Sequence, residues 1–360
     1  MPSNALDYIT VRGFKSIKSI ERLVLKPINV LIGSNGSGKS NFIGVFSLVH
    51  AIREGHLRDY VIQAGGAEKV LHFGSKVTGE IYVSLSFSEQ DFEVTLRPTA
   101  DDTLYEREMT VKPTVRRSDE LKVVATDEQE AFWNRQMKSQ LDQLLNWRIY
   151  HFHDTSSASL IRKTARVDDN RFLQSDGSNL AAFLYYLRER HERSYGLIRG
   201  TIQRVAPFFD DFRLDPLRLN PSDIKLEWKH KNSDQYFDAS SLSDGTLRFI
   251  ALATLFLQPE MYLPSLILVD EPELGLHPSA IGMLASLIRQ VSKTTQVIVS
   301  TQSSLLLDHF DPVDVLVANR VEGNTQITRL EPAPLADWLE EYSLGQLWEK
   351  NEFEGRPVPD

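Results

Sequence analysis

The chain contains no cysteine. That absence excludes disulfides, thiolate nucleophiles and cysteine-held zinc or iron–sulfur sites together. Long apolar runs are lacking too. The longest, Phe249 to Leu257, falls far short of the roughly 20 residues that span a bilayer. Met1 to Ile20 alternates polar and apolar residues and holds Asp7 and Arg12, so no secretory apolar core is read there. A cytoplasmic location with no membrane partner is expected. Positive charge is not in excess. Forty Lys and Arg against 49 Asp and Glu give a net charge of −9, which argues against indiscriminate coating of nucleic acid and leaves only local basic patches for such contacts. Internal repeats, low-complexity segments and sustained heptads are also missing from the sequence, so no long coiled coil is expected.

What is present is ordinary globular material. The 360 residues are 41% hydrophobic and 25% charged, enough for one large domain or two to three smaller ones. Period-two runs at Ile81–Phe87, 92–96, 106–111 and 121–124, punctuated by Pro98, Asp101-Asp102 and Pro113, read as an antiparallel meander. A helix is expected over 127–147 and a strand over 148–152. Residues 179–193 read as one helix with Leu180, Phe183, Leu184 and Leu187 on one face. A short strand is read at 224–228. Toward the C-terminal end, the apolar runs 266–269 and 296–300 flank a helix over 279–291. Fully apolar strands alternating with helices indicate a parallel sheet covered on both faces.

Gly33-Ser-Asn-Gly-Ser-Gly38-Lys39-Ser40 fits G-x-x-x-x-G-K-[ST], following an apolar strand (28–32) and opening a helix (41–53). Glycines let the backbone bend and aim N–H groups at phosphate oxygens, and the helix N-terminus favours the anion. Lys39 is expected to reach the β- and γ-phosphates and, without a ligand, to face solvent. The Ser40 hydroxyl is a ligand for Mg²⁺. Leu266-Ile-Leu-Val-Asp270-Glu271 is a buried strand ending in two carboxylates. Asp270 suits Mg²⁺, and Glu271 suits orientation or deprotonation of an attacking water. A third strand ends at Thr301-Gln302, where a side chain could touch the γ-phosphate.

Three further stretches carry a resemblance. Leu242-Ser-Asp-Gly-Thr246 stands where an LSGGQ signature would, and Asp270-Glu-Pro-Glu-Leu-Gly-Leu-His-Pro278 resembles a Walker B motif with its D-loop. Val11-Arg-Gly-Phe-Lys-Ser-Ile, followed by Ile28-Asn-Val-Leu-Ile-Gly-Ser-Asn-Gly-Ser-Gly-Lys-Ser-Asn41, is similar to the first strand and nucleotide loop of the same group. Together they resemble the RecF/SMC-like ABC-type ATPases, close to the standalone AAA family ATPases related to OLD and PtuA-type proteins and often found in bacterial defence loci. The resemblance spans residue 8 to about 53 and residue 148 onward. It implies an α/β fold: an ABC-type ATPase head with a mostly parallel core sheet, an antiparallel β-subdomain and a short helical insert. The expected division is an N-terminal lobe (1–154), a compact helical insert (155–239) and a C-terminal lobe (240–360).

The resemblance also implies roles. ATP would be held by Gly33, Ser34, Asn35, Gly36, Ser37, Gly38, Lys39, Ser40, Asn41 and Lys15, with catalysis by Glu271, Lys39 and Gln302 and Mg²⁺ at Ser40, Asp270 and His153. Ser243, Asp244 and Gly245 would serve the ATP of a second copy, and Gly275 and His277 would belong to the D-loop. Two departures stand out. The switch histidine is replaced by Gln302, which can hydrogen-bond but cannot become cationic, so hydrolysis is expected to be slow. The Q-loop glutamine is also missing, and His153 in Arg148-Ile-Tyr-His-Phe-His-Asp-Thr155 is its candidate replacement. His151 and His153 on one strand face also resemble part of a metal site, although no second histidine cluster in the sequence completes it.

Function follows as an expectation: an Mg²⁺-dependent ATPase that dimerises on ATP and switches a separate effector protein, with antiphage defence as a setting. A RecF-like DNA-binding repair ATPase and a weakly hydrolysing nucleotide-binding scaffold are the alternatives, and nucleic acid stays a candidate partner. Pro207, Pro216 and Pro221 interrupt the insert, which argues against SMC-length arms. The short tail after Leu330, read as one amphipathic helix over 335–348, is expected to hold no nuclease domain. The basic residues at 162, 163, 166 and 171 and at 188, 190, 193 and 199 have two readings, a solvated face interleaved with acids or a phosphate-contact surface.

Overall fold

Residues 5–88, 90–113, 146–156 and 158–353 are described by the computed structural model. They fall into two units, Met1–Trp147 with Asp311–Asp360, and Arg148–Phe310. The strand expected at 121–124 and nearly all of the helix expected over 127–147 lie outside the described residues.

In the first unit, β1 (Leu6–Phe14) and β2 (Ile17–Val24) pair as a hairpin. Strand β3 (Ile28–Ile32), buried at every position, runs into the glycine-rich loop and helix α1 (Lys39–Arg53). Phe42, Val45, Phe46 and Val49 recur at helical spacing and are all buried. Phe46 meets Trp147 edge to face at 5.5 Å. Two short helices, α2 (Leu57–Gln63) and α3 (Ala67–Val70), lead to β4 (Ile81–Phe87), β5 (Gln90–Pro98) and β6 (Leu104–Pro113). The five antiparallel strands are ordered β2-β1-β4-β5-β6. Alternation decides which face is buried: Ile81, Val83, Leu85 and Phe87 point inward, opposite Val11 and Ile9 of β1 and Leu96 and Val94 of β5.

In the second unit, β7 (Trp147–Tyr150) leads to a mixed insert. It contains β8 (Ala165–Arg166), helices α4 (Leu180–Arg190) and α5 (Glu192–Val205), and five short strands: β9 (Phe209–Arg213), β10 (Pro216–Leu217), β11 (Asn220–Ile224), β12 (Glu227–His230) and β13 (Tyr236–Asp238). The insert is therefore only partly helical. Its strands form two three-stranded sheets, and Phe209, Phe212, Trp228 and Phe237 supply an aromatic core for one of them. The prolines that break helices here are accommodated at turns and strand ends. The helix expected over 179–193 stops at Arg190. His191 leaves helical geometry (φ −139°, ψ 55°), and α5 begins afresh after it.

The parallel core of this unit follows. Helix α6 (Asp244–Leu257) precedes β14 (Leu266–Asp270), and α7 (Pro278–Val291) connects β14 to the parallel β15 (Gln296–Ser300). Every residue of β15 and all but the last of β14 are buried, as the apolar runs required. Each large aliphatic side chain so buried stabilises the fold by about 1.5–3 kcal/mol. Strand β7 lies on the other side of β14. A short helix, α8 (Ser304–Leu307), closes the unit.

The chain then re-enters the first unit as β16 (Val315–Val321), parallel to β3, and β17 (Asn324–Arg329), antiparallel to β16. Pairing of β16 with β3 is why residues 311–353 belong with the N-terminal unit, a cut that differs from the three-way division read in the sequence. The expected helix over 335–348 is instead two 3-10 turns (Ala333–Leu335, Trp338–Glu340) and helix α9 (Leu344–Lys350). Ser343 and Gln346 form a capping box that starts the helix anew. The apolar face read for that segment is split accordingly: Leu335 is buried, while Trp338 is exposed.

The fold is α/β, combining parallel core strands with an antiparallel β-subdomain. Among the described residues the longest helix, α1, has 15 residues, so they contain no long coiled coil. No helix among them is long and apolar enough to cross a membrane.

Candidate functional site

In the first unit, β3 delivers the chain to the loop at Gly33. The helix begins at Lys39, with the N-cap Gly38 in the left-handed region (φ 104°). A Cβ at Gly38 would lie 1.9 Å from Thr325 Oγ1, so both backbone shape and space demand glycine here. Thr325 Oγ1 donates to Ser37 O at 2.9 Å and lies 2.7 Å from Ser16 Oγ, to which Asn41 Nδ2 donates at 2.6 Å. Residues 16, 37, 41 and 325 thus brace the loop as one network.

Lys39 does not face solvent. It is 6% exposed, and its Nζ donates to Gly33 O at 2.6 Å and Ser34 O at 3.0 Å. Loop carbonyls hold its charge in the ligand-free protein, because a buried ammonium needs acceptors. Ser40 is exposed at the start of the helix, as are Asn35 and Gly36 in the loop. Lys15 sits at positive φ (48°), and burial pushes its pKa down. A cavity of about 560 Å³ is lined by Lys15, Ser16, Asn41, Lys69, Phe73 and Arg320, among others. Glu68 also lines it, so three cations share the lining with a carboxylate, and Phe73 offers an exposed ring.

In the second unit, Asp270 ends β14 and Glu271 follows at positive φ (40°). That strained turn is held by Glu271 N donating to Ser300 O at 2.7 Å. Gln302 Nε2 donates to Glu271 Oε1 at 2.5 Å, so the expected catalytic pair meets directly. Next to it, Thr301 Oγ1 donates to buried Glu273 at 2.5 Å, and burial raises the pKa of Glu273.

His153 Nε2 lies 3.7 Å from Asp270 Oδ2. Burial alone would raise the Asp270 carboxyl, but the His153 interaction helps bring it below its ordinary value, and the same contact raises His153. The donor atoms of His151, His153 and Asp270 lie within 4.8 Å of one another. His151 therefore joins the Asp270 and His153 already assigned to metal binding. For Mg²⁺, the hard oxygens of Asp270 are suitable donors within this unit, with water and phosphate oxygens able to complete the shell.

The signature segment is built as a helix start. Ser243 N-caps α6, its Oγ accepting from Thr246 N at 3.2 Å. Arg162, one of the residues grouped as a basic patch, is instead a clamp. Its guanidinium contacts Asp244 Oδ1 at 2.7 Å and Leu242 O at 3.2 Å, and it also donates to Ala239 O. Buried Arg248 on α6 donates to Phe152 O at 2.8 Å and His153 O at 2.9 Å, tying the histidine segment to the signature helix. The sequence reading passed over Arg248 and took Arg162 only as part of a basic patch. Other arginines of the patch pair with acids, Arg166 with Asp168 and Arg199 with Asp211, which favours the solvated-face reading.

The D-loop lies against the signature. A Cβ at Gly245 would fall 2.1 Å from Gly275 O and 3.0 Å from its carbonyl carbon. His277 N-caps α7, accepting from Ser279 N at 3.3 Å. Because backbone blocks the space beside Gly245, Gly245→Ala must displace the D-loop. It is expected to destabilise the protein by about 1–3 kcal/mol, measured as a lower midpoint in urea unfolding. An unchanged midpoint would contradict the contact.

Solved structures share this fold. The SMC head bound to the C-winged helix domain of ScpA is 17% identical with a TM-score of 0.63, covering 92% of this chain and 99% of that one. The Pyrococcus furiosus SMC head with an extended coiled coil, bound to the C-terminal domain of ScpA, is 17% identical with a TM-score of 0.59, covering 93% and 98%. The Pyrococcus yayanosii SMC head with a coiled coil and joint is 14% identical with a TM-score of 0.54, covering 93% and 99%. No curated protein matches the sequence. Residues 28–308, which run from β3 through the helix after the third core strand, match the family described as "AAA domain, putative AbiEii toxin, Type IV TA system", and the chain belongs to that family, with a fold like that of SMC heads.

Proposed function

We propose that the chain hydrolyses ATP with Mg²⁺, dimerises in its ATP-bound state and thereby switches a separate effector protein. The observation that carries this reading is the Glu271–Gln302 pair at the end of a buried strand, in a chain that also holds a braced phosphate loop. The loop N–H groups and Lys39 bind the triphosphate, and Lys39 exchanges the carbonyls of Gly33 and Ser34 for phosphate oxygens. Mg²⁺, when bound, neutralises charge on the β- and γ-phosphates. Glu271 accepts the proton of the attacking water, and Gln302 fixes the Glu271 carboxylate by donating to it. Gln302 cannot supply a full positive charge, which keeps turnover slow.

Ser243, Asp244 and Gly245 bind the γ-phosphate of a second copy, since the capped N-terminus of α6 favours an anion. The family's description names a type IV toxin–antitoxin system, a two-component arrangement that supports a protein partner. The paired arginines weigh against the DNA-repair alternative. Purified protein should release phosphate from ATP in Mg²⁺ and leave plasmid DNA uncut. No phosphate release above background would favour the scaffold reading, and nicking that persists through stringent purification would remove the need for an effector.

A further inference from the structure

Two neighbouring histidines and a carboxylate distant in the sequence meet at one strand end. His151 and His153 directly follow β7, and β7 neighbours β14, whose last residue is Asp270. Alternate residues of an extended segment face the same way, and the two imidazole rings stand 6.1 Å apart, centre to centre. Backbone contacts fix this placement. His151 N donates to Ser175 O at 2.9 Å, and Arg248 grips the carbonyls of Phe152 and His153. One nitrogen from each ring and one Asp270 oxygen lie within 4.8 Å of one another. His151 is exposed, so a modest ring rotation can bring its nitrogen onto an ion held about 2.0–2.2 Å from each donor.

Donor chemistry selects the ion. Mg²⁺ takes oxygen ligands and retains water, whereas imidazole suits zinc and the first-row transition ions. We propose that His151, His153 and Asp270 bind one divalent transition ion or Zn²⁺ in the absence of nucleotide, in preference to Mg²⁺. The site shares Asp270 with the ATPase reading but does not depend on hydrolysis. Such an ion would hold Asp270 before nucleotide arrives and would have to be released or retained as Mg²⁺ enters with ATP.

The test is a titration of tag-free, nucleotide-free protein with Co²⁺ alone, followed by its visible d–d absorption. One Co²⁺ per chain is expected, with binding that survives a large excess of Mg²⁺. His151→Ala and His153→Ala should each weaken it about tenfold or more, while His56→Ala, exposed and remote in sequence, should not. Circular dichroism of each variant establishes that it is folded. No saturable absorption, displacement by equimolar Mg²⁺, or unchanged binding in both folded histidine variants would overturn the site. Phosphate release by the wild type is measured separately, so failure of the metal site and failure of the ATPase reading give different results.

Discussion

Lys39→Ala is expected to weaken ATP binding about 100-fold while the protein stays folded. A charge-assisted hydrogen bond contributes about 1.5–3 kcal/mol, and about 2.7 kcal/mol corresponds to that factor. Two effects set the value. In the ligand-free protein, Lys39 Nζ already has partners in Gly33 O and Ser34 O. The gain on binding is therefore the difference between phosphate oxygens and these carbonyls, not the whole of a new interaction. Removing the ammonium also leaves two inward-turned carbonyls without their shared donor, which makes the loop less ready to present its N–H groups. Both effects lower affinity, and the anionic partner makes the first the larger. The fold should survive because α1 is anchored by Phe42, Val45, Phe46 and Val49, none of which touches this charge directly through hydrogen bonds. Calorimetric titration with Mg-ATP is the measurement. An affinity within about threefold of wild type, a difference below 1 kcal/mol, would remove Lys39 from the binding set.

Local patterns were the legible part of the chain. Period-two alternation located β4 and β5, the apolar runs located β14 and β15, and the glycine spacing located the phosphate loop, because each is written in neighbouring residues. The missed features are tertiary. Arg162 looks like one more surface cation until the chain brings it to Asp244 and Leu242 O. Arg248 sits inside an apolar helix, and only its two carbonyl partners near His153 explain a buried guanidinium there. The meeting of His151 with Asp270 is likewise set only by strand order. Helix ends were read poorly where a polar residue competes for the backbone. His191 breaks the helix expected over 179–193, and Ser343 restarts one within 335–348. The insert was read as helical because its strands are two to five residues long, too short to establish a period.

Glu271→Gln should reduce ATP hydrolysis about 100- to 10,000-fold, the usual contribution of a positioned general base, and should trap an ATP-bound dimer. The substitution nearly preserves shape. A glutamine at 271 keeps a carbonyl oxygen where Oε1 accepts from Gln302 Nε2, and the strained backbone at φ 40° is carried by the bond to Ser300 O rather than by the side chain. What disappears is the negative charge able to take a proton. Binding groups are untouched: Lys39, the loop and the capped start of α6 at Ser243 remain. Affinity for ATP should hold while turnover falls, the pattern of a group that acts in the transition state and not in ground-state binding. If the signature of one copy meets the γ-phosphate bound to another, slow hydrolysis prolongs that contact. Light scattering at saturating Mg-ATP should then report twice the monomer mass for Glu271→Gln. Gly245→Ala added to the same chain should return it to monomer, since the displaced signature can no longer present its helix start. A Glu271→Gln protein that binds ATP tightly yet stays monomeric would leave hydrolysis intact as a reading and remove the dimer from it. Unchanged turnover in this variant would instead take the proton-accepting role from Glu271.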